Sequence, residues 1–432
     1  DTILFCDTIL FCDTILFCDT ILFCANIPGC ARPGRPLVSR VLIVATILAL
    51  GSWGLLKDPL ASSLVARTAF QPTGEPLIGI LLEEGQFRRT VESSDGRLQI
   101  RWAGDSATIT APVEVIASAG VIHIGNRQWT DRVWVRSRTG EMQTGDRYHE
   151  GWVEWIPEPE ATGWQMIERL SLERYLLGVV TREMSASSFP AAALQAQAIA
   201  ARTYALFQME ARGRGRSYDL RGDTRSQAYG GTARVPKEVI DAVEQTRGQV
   251  LLWQGKLFES FFHSTCGGQT CSAAESYFIR GVPTMPSVRC EGCQSSRFFR
   301  WSEDVPRQHL ADAVAYLCQG TGIQLGKIDT VVAVDAAGSG HVPYLRIDHS
   351  LGSFEVDSKR LRATLRSRGR HKLRSTNFVV QPSASGFLFS GRGWGHGIGM
   401  CQVGAQGYAR RGANDVWILQ HYYPGVEIRS CW

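Results

Sequence analysis

The sequence predicts an α+β protein: a helix-centred region braced by antiparallel β-strands, with a β-rich module before it and a single membrane anchor ahead of that. Three observations carry this reading. From Leu77 to about Trp155, short apolar or alternating runs (LIGILLE, LQIRWA, ATITA, VEVIAS, VIHIG, RVWVRS) are separated by Gly, Asp and Asn, the period-2 texture of strands between turns. After Gly163 comes PAAALQAQAIAARTYALFQMEA, where a proline in the first helical position and abundant alanine predict a long helix. Strand-like runs then return at KIDTVVAVDAA, YLRIDHS and SFEVD.

Each element follows in chain order. Residues 1–35 hold four identical copies of Asp-Thr-Ile-Leu-Phe-Cys, a low-complexity tail too short in any one copy to bury a core. Three arginines between Arg32 and Arg40 precede the uncharged run Val41 to Leu56. This pattern predicts a signal anchor or transmembrane helix over 36–57 and sends the rest of the chain out of the cytoplasm, either tethered or secreted after cleavage. Residues 58–76 are small and polar, a linker. The remainder, 77–432, is read as one domain whose part 77–160 is β-rich.

Within it, Ser171 is an N-cap for a helix through Leu177, with Glu173 in the first turn where the helix dipole favours an acid. The stretch VVTREMSASS bends, and Pro190 opens the long helix. Its small face (Ala191, Leu194, Ala198, Ala201, Ala205) allows close packing and places the helix centrally. A third helix spans Pro236 to about Gln245 and is stopped by Gly248. Gln254-Gly255 forms a hairpin turn between QVLLW and KLFESFFH. A helix near Ser358 to Leu365 and a last short one, DVWILQHYY, complete the set.

Lys and Arg number 46 against 41 Asp and Glu, a net charge of +5. That mild excess suits an anionic wall polymer or a membrane surface. Without a basic run interleaved with aromatics it argues against nucleic acid.

Three places carry chemistry. Glu183 falls in the bend before the long helix, where Val179, Val180 and Met184 offer an apolar wall that would raise its pKa into the range of a general acid/base. The alternative is a solvated loop glutamate or a helix-capping acid. The second place is the run with glycine at 391, 393, 395, 397 and 399. It lacks the Gly-Lys-Ser/Thr ending of a phosphate loop. Interleaved Trp394 and His396, followed by Gln402, suit sugar rings and N-acetyl groups; the alternative is a tight structural turn. The third place comprises Cys266, Cys271, Cys290 and Cys293, a C-x4-C followed by a C-x2-C. This spacing fits a structural tetrahedral zinc site, with His263 able to replace one sulfur, or else a pair of disulfides in an oxidising compartment. Spacing leaves Cys401 open between a free thiol and a bond to Cys431.

Taken in order, ERYLLGVVTREMSASSFPAAALQAQAIAARTYAL, SQAYGG, FFHSTCGGQT and GRGWGHGIGMCQVGAQGYARRG resemble the stage II sporulation protein D and amidase-enhancer family. The resemblance runs from about Leu77 to the C-terminus. It implies a lytic transglycosylase that cuts peptidoglycan glycan strands between N-acetylmuramic acid and N-acetylglucosamine, leaving 1,6-anhydro ends. On that resemblance Glu183, in the Glu-Met pair, is the acid/base. Arg202, Tyr204, Gln227, Tyr229, His263, His396 and Gln402 match groove-lining positions, and Ser264 and Trp394 complete the substrate-binding set. The chemistry requires no cofactor. Some members carry metal-binding cysteines before the Gln-x-Tyr; here Leu220 and Ser226 occupy such places, so the zinc expectation rests on spacing alone. Two other readings stay open: a non-catalytic wall-binding module that recruits or activates an amidase, and a zinc hydrolase using His263, Cys266 and a bound water. The second lacks any H-E-x-x-H pattern.

Overall fold

The computed structural model describes residues 69–70, 74–158, 163–212, 216–232, 234–274, 285–334, 338–369 and 371–432. The expected tail, anchor and most of the linker lie outside the described residues. None of the described helices is long and apolar enough to cross a membrane.

The alternating runs become two sheets. The first has the spatial order Leu220–Arg221, Leu77–Gln86, Trp164–Ser171, Val153–Pro157, Val133–Ser137, Arg97–Trp102, Asp105–Thr110. The second runs Arg147–His149, Met142–Thr144, Arg88–Ser93, Val113–Ser118, Val121–Ile124, Arg127–Trp129. Alternation fixes the inward set: along Val133–Ser137 the buried positions are Val133, Val135 and Ser137, with Trp134 and Arg136 only partly covered. Val91, Val115, Ile122, Val135, Trp155 and Trp164 join one core with the helices that follow.

Helix α1 (Leu172–Glu183) continues directly from the strand Trp164–Ser171. Ser171 holds the N-cap position in extended backbone, but its side chain makes no capping bond. The helix does not end at Leu177 as the sequence suggested; it runs on to Glu183, the last residue before the Met184 C-cap. Gly178 sits inside it because the Tyr229 ring packs there: a Cβ would come within 2.4 Å of that ring. Glu183 is therefore a helix-terminal residue, not a loop residue.

Helix α2 (Ala191–Arg212) packs against α1, helix α3 (Lys237–Gln245) and the strand Gln249–Leu252. Ala193, Ala196, Ala198, Ala200, Ala201 and Ala205 are all fully buried, so alanine here buys close approach from several sides at once. Gln254 and Gly255 form the expected turn with positive φ of 51° and 72°. Its preceding strand, Gln249–Leu252, nevertheless pairs antiparallel with Glu427–Ser430 near the end of the chain and not with the run that follows.

Residues 301–391 hold a second, separate core. Two three-stranded sheets (Trp301–Pro306, Gly386–Gly391, Phe378–Pro382; Ile328–Val334, Tyr344–His349, Gly352–Asp357) enclose it with helices α4 (Arg307–Leu317) and α5 (Ser358–Gly369). Leu310, Val314, Leu345, Ile347, Leu361, Phe387 and Phe389 fill it. The chain then leaves through the glycine run and returns to α2 with helices α6 (Gln402–Arg410) and α7 (Asp415–Tyr422).

Candidate active site

Glu183 ends α1 under an apolar wall: Val179 and Val180 are fully buried, Met184 is 1% exposed, and Glu183 itself is 4% exposed. Its Oε1 accepts from the Ala228 backbone N–H at 2.9 Å and its Oε2 from the Gln402 side-chain amide at 3.1 Å. Both partners are neutral. Burial therefore dominates and raises the carboxyl pKa above its ordinary value of 4.5, against the smaller opposing pulls of Ala228, Gln402 and the Arg182 charge. A carboxylate at a helix C-terminus also faces the negative end of the dipole, which acts in the same direction as burial.

Gln402 reaches the acid because of what precedes it. The short strand Met400–Cys401 pairs in parallel with Phe262–His263, and Cys401 caps α6, whose first residue is Gln402. The same amide lies 3.4 Å from the Gln197 Oε1 of α2. Gln197 is fully buried and its Nε2 has no partner. It was not among the expected site residues, although its place between Leu194 and Ala201 on the small face of α2 was a signal: a polar side chain on a face otherwise apolar. Gln227, next to the Ala228 donor, gives its amide N–H to Tyr175 Oη and Ala201 O at 3.3 Å each, leaving its Oε1 unpartnered. Glu183, Gln402, Gln197 and the Gln227–Ala228 pair thus form one polar nest with two unspent buried atoms.

The histidines form a second group. His263 donates from Nδ1 to Ile398 O at 3.0 Å, which leaves Nε2 as a buried acceptor with no partner. Desolvation pushes its pKa down to about 4, so the ring is neutral at physiological pH. His396 donates from Nε2 to Phe262 O at 2.9 Å and accepts at Nδ1 from Ile398 N–H at 3.1 Å. Burial and then the nearby His263 hold it well below the usual histidine range. The rings stand 5.4 Å apart.

The glycine run supports this group as a packed turn. A Cβ on Gly399, at φ +69°, would lie 2.0 Å from Phe261 O, and one on Gly397, at φ +83°, 2.5 Å from His341 Nε2. Only glycine lets the two segments approach so closely.

Several expected substrate contacts turn out to be internal. Arg202 is fully buried and bidentate on Glu173, with Nε–Oε1 3.0 Å and Nη2–Oε2 2.6 Å, and its Nη1 donates to Gln249 O. It cannot line a groove, because an arginine on the covered face of α2 must be neutralised where it lies. The Tyr229 hydroxyl donates to Glu168 Oε2 at 2.7 Å, in a buried chain that continues to His149 and Thr144. Tyr204 is 5% exposed and packs near Phe261. Trp394 is 8% exposed, edge-on to Phe298 at 4.2 Å with Arg374 over its ring, so it offers no open platform. Ser264 is buried, and its carbonyl accepts from Val403 N–H, bracing the start of α6.

The cysteine set also differs from the expected one. Cys266, Cys290, Cys293 and Cys401 are buried with their sulfurs all within 4.8 Å of one another, a group able to hold a metal ion. Cys271 is not in it. Its backbone N–H donates to Gly397 O, while Cys401 arrives beside Cys266 through the parallel strand pairing. Four protein sulfurs would fill a tetrahedral ion, which leaves no position for a catalytic water and so disfavours the zinc-hydrolase reading.

Glu183 is thus a buried acid at a helix end whose hydrogen-bond partners are neutral amides. Residues 160–253 match the family described as stage II sporulation protein, and residues 285–399 match a domain of unknown function. The chain is 33% identical over 264 residues to an uncharacterized protein of Brachyspira hyodysenteriae, covering 61% of this chain and 68% of that one. It is 32% identical to stage II sporulation protein D of Bacillus amyloliquefaciens, over 61% of this chain and 75% of the relative. It is 26% identical to the amidase enhancer of Bacillus subtilis, over 59% of this chain and 40% of that protein. The chain belongs to the stage II sporulation protein D family.

Proposed function

We propose that the protein acts on the bacterial cell wall as a lytic transglycosylase, with Glu183 as its general acid and base. The observation that carries this reading is the environment of Glu183: buried, neutral in its partners, and with a pKa raised by desolvation. Hydrolytic glycosidases as a rule use two carboxyl groups at a set separation. Intramolecular cleavage needs one. Protonated Glu183 gives its proton to the glycosidic oxygen leaving C1 of the muramyl residue. As that bond breaks, the sugar's own 6-hydroxyl oxygen bonds to C1, and the hydroxyl proton passes to the Glu183 carboxylate. The acid is restored and no water is consumed. Ala228 N–H and the Gln402 amide favour the ionised form and so stabilise the carboxylate between the two transfers. Gln197 Nε2, Gln227 Oε1 and His263 Nε2 are buried, unpartnered polar atoms that would suit N-acetyl and hydroxyl groups of the glycan once the site opens to it.

Catalysis on a wall polymer requires that the domain stand outside the cytoplasm, which agrees with an anchor over 36–57, retained or cleaved.

The test is digestion of purified glycan strands by the protein and by Glu183→Gln, with products weighed by mass spectrometry. The expected result is anhydro-ended fragments from the unaltered protein and none from the variant, with wall binding retained. Equal release by both would reject Glu183. A second reading is favoured by the relative named amidase enhancer and by the small exposure of Glu183: a wall-binding partner of an amidase. Sedimentation with glycan but no soluble fragments from the unaltered protein, together with faster peptide release when an amidase is added, would establish it instead.

A further inference from the structure

We propose that Cys266, Cys290, Cys293 and Cys401 bind one zinc ion as four thiolates, and that this ion clamps the start of α6 beneath the acid. The sequence divides these residues among three segments: a turn after Phe262–His263, the stretch Cys290–Cys293, and the end of the glycine run. The fold brings their sulfurs to within 4.8 Å of one another. Tetrahedral zinc with bonds of about 2.3 Å needs sulfurs about 3.8 Å apart, so the cluster is already near that size. Its Cys266–Cys293 sulfur separation is 3.5 Å, far from the roughly 2.05 Å of a disulfide.

The surroundings suit anionic sulfur. Cys401 Sγ accepts backbone N–H bonds from Cys266 and Gly404 at 3.2 Å each. The Tyr422 hydroxyl lies 3.0 Å from Cys290 Sγ. Donors aimed at ligand sulfurs are the usual outer support of a thiolate metal site. Room for them depends on Gly404, where a Cβ would stand 2.6 Å from Cys290 Sγ and 2.0 Å from Tyr422 Oη. Sulfur-only tetrahedral ligation selects zinc or iron, and zinc needs no redox partner. The consequence is positional: Cys401 caps α6 and precedes Gln402, so an ion that ties Cys401 to Cys266 and to Cys290–Cys293 fixes the helix start that presents the amide to Glu183.

The site is independent of whether the protein cuts glycan, and its test does not use activity. The full chain also carries Cys6, Cys12, Cys18, Cys24 and Cys30, so the quantity read is a difference in zinc content. Elemental analysis of the full chain against Cys401→Ser should show a loss of one zinc per chain, with the same loss in Cys290→Ser. Cys271→Ser, outside the cluster, should keep it. Should Cys401→Ser fail to fold, peptide-resolved alkylation of the unaltered chain replaces it: Cys266, Cys290, Cys293 and Cys401 should become reactive together on adding a chelator and be protected again by zinc. Unchanged zinc in Cys401→Ser, reactivity indifferent to chelator, disulfides among the four under non-reducing digestion, or iron in place of zinc would each overturn the proposal.

Discussion

Helix α1 begins and ends with a buried glutamate, and the two are treated in opposite ways. Glu173, in its first turn, meets the bidentate Arg202 guanidinium, the Gly248 N–H at 3.0 Å and the Trp432 indole N–H at 3.0 Å. It also sits at the end of the helix whose dipole favours negative charge. Glu183, at the other end, meets two neutral amides and the wrong end of the dipole. One carboxylate is paired with a buried arginine and ties α1, α2 and the C-terminus together; the other accepts only from neutral amides, with the Arg182 charge the smallest of the pulls on it. A buried carboxylate that keeps its arginine is architecture, whereas one denied it can hold and release a proton.

Breaking the first glutamate's pair should have the largest effect on stability. Arg202→Ala leaves Glu173 buried without its counter-charge and should cost about 3–5 kcal/mol in urea unfolding. A groove-lining arginine would cost little, so an unfolding midpoint unmoved by the change would restore the role the resemblance gave it. Gln402→Ala removes a donor from Glu183 and empties part of the polar nest. It should cost about 1–3 kcal/mol and slow glycan release without loss of wall binding.

Trp432→Phe deletes one of several donors on Glu173 and should cost about 1 kcal/mol with no change in glycan release. The smallest change is expected from Glu183→Gln, and it has the opposite sign. A carboxyl whose folded pKa is raised binds more protons folded than unfolded between the two values, so its contribution falls as pH rises from 4.5 through the raised value. The variant should therefore melt above the unaltered protein at neutral pH, the gap closing as pH falls toward 4.5.

The contrast explains what could be read beforehand. The sheltered setting of Glu183 was legible because Val179, Val180 and Met184 stand next to it in the chain. The long alanine helix and the glycine turn were legible for the same reason, since composition within one segment determines them. Arg202 was misplaced because its partner stands 29 positions away on another helix, a pairing that periodicity cannot show. Cys271 was preferred to Cys401 because spacing counts only neighbours, and the parallel pairing of Phe262–His263 with Met400–Cys401 joins residues far apart in the chain. The second core was hidden because its strands carry the same pattern as those of the first.

The proposed mechanism requires that Glu183 keep its proton where an ordinary glutamate has lost it. Infrared difference spectra of the unaltered protein minus Glu183→Gln, taken across a pH titration, isolate that carboxyl directly. A protonated carbonyl band that persists well above pH 4.5, then disappears together with glycan-cleaving activity as pH rises further, is the predicted result. A band that has lost half its intensity by pH 4.5, with activity unchanged across that range, would contradict it.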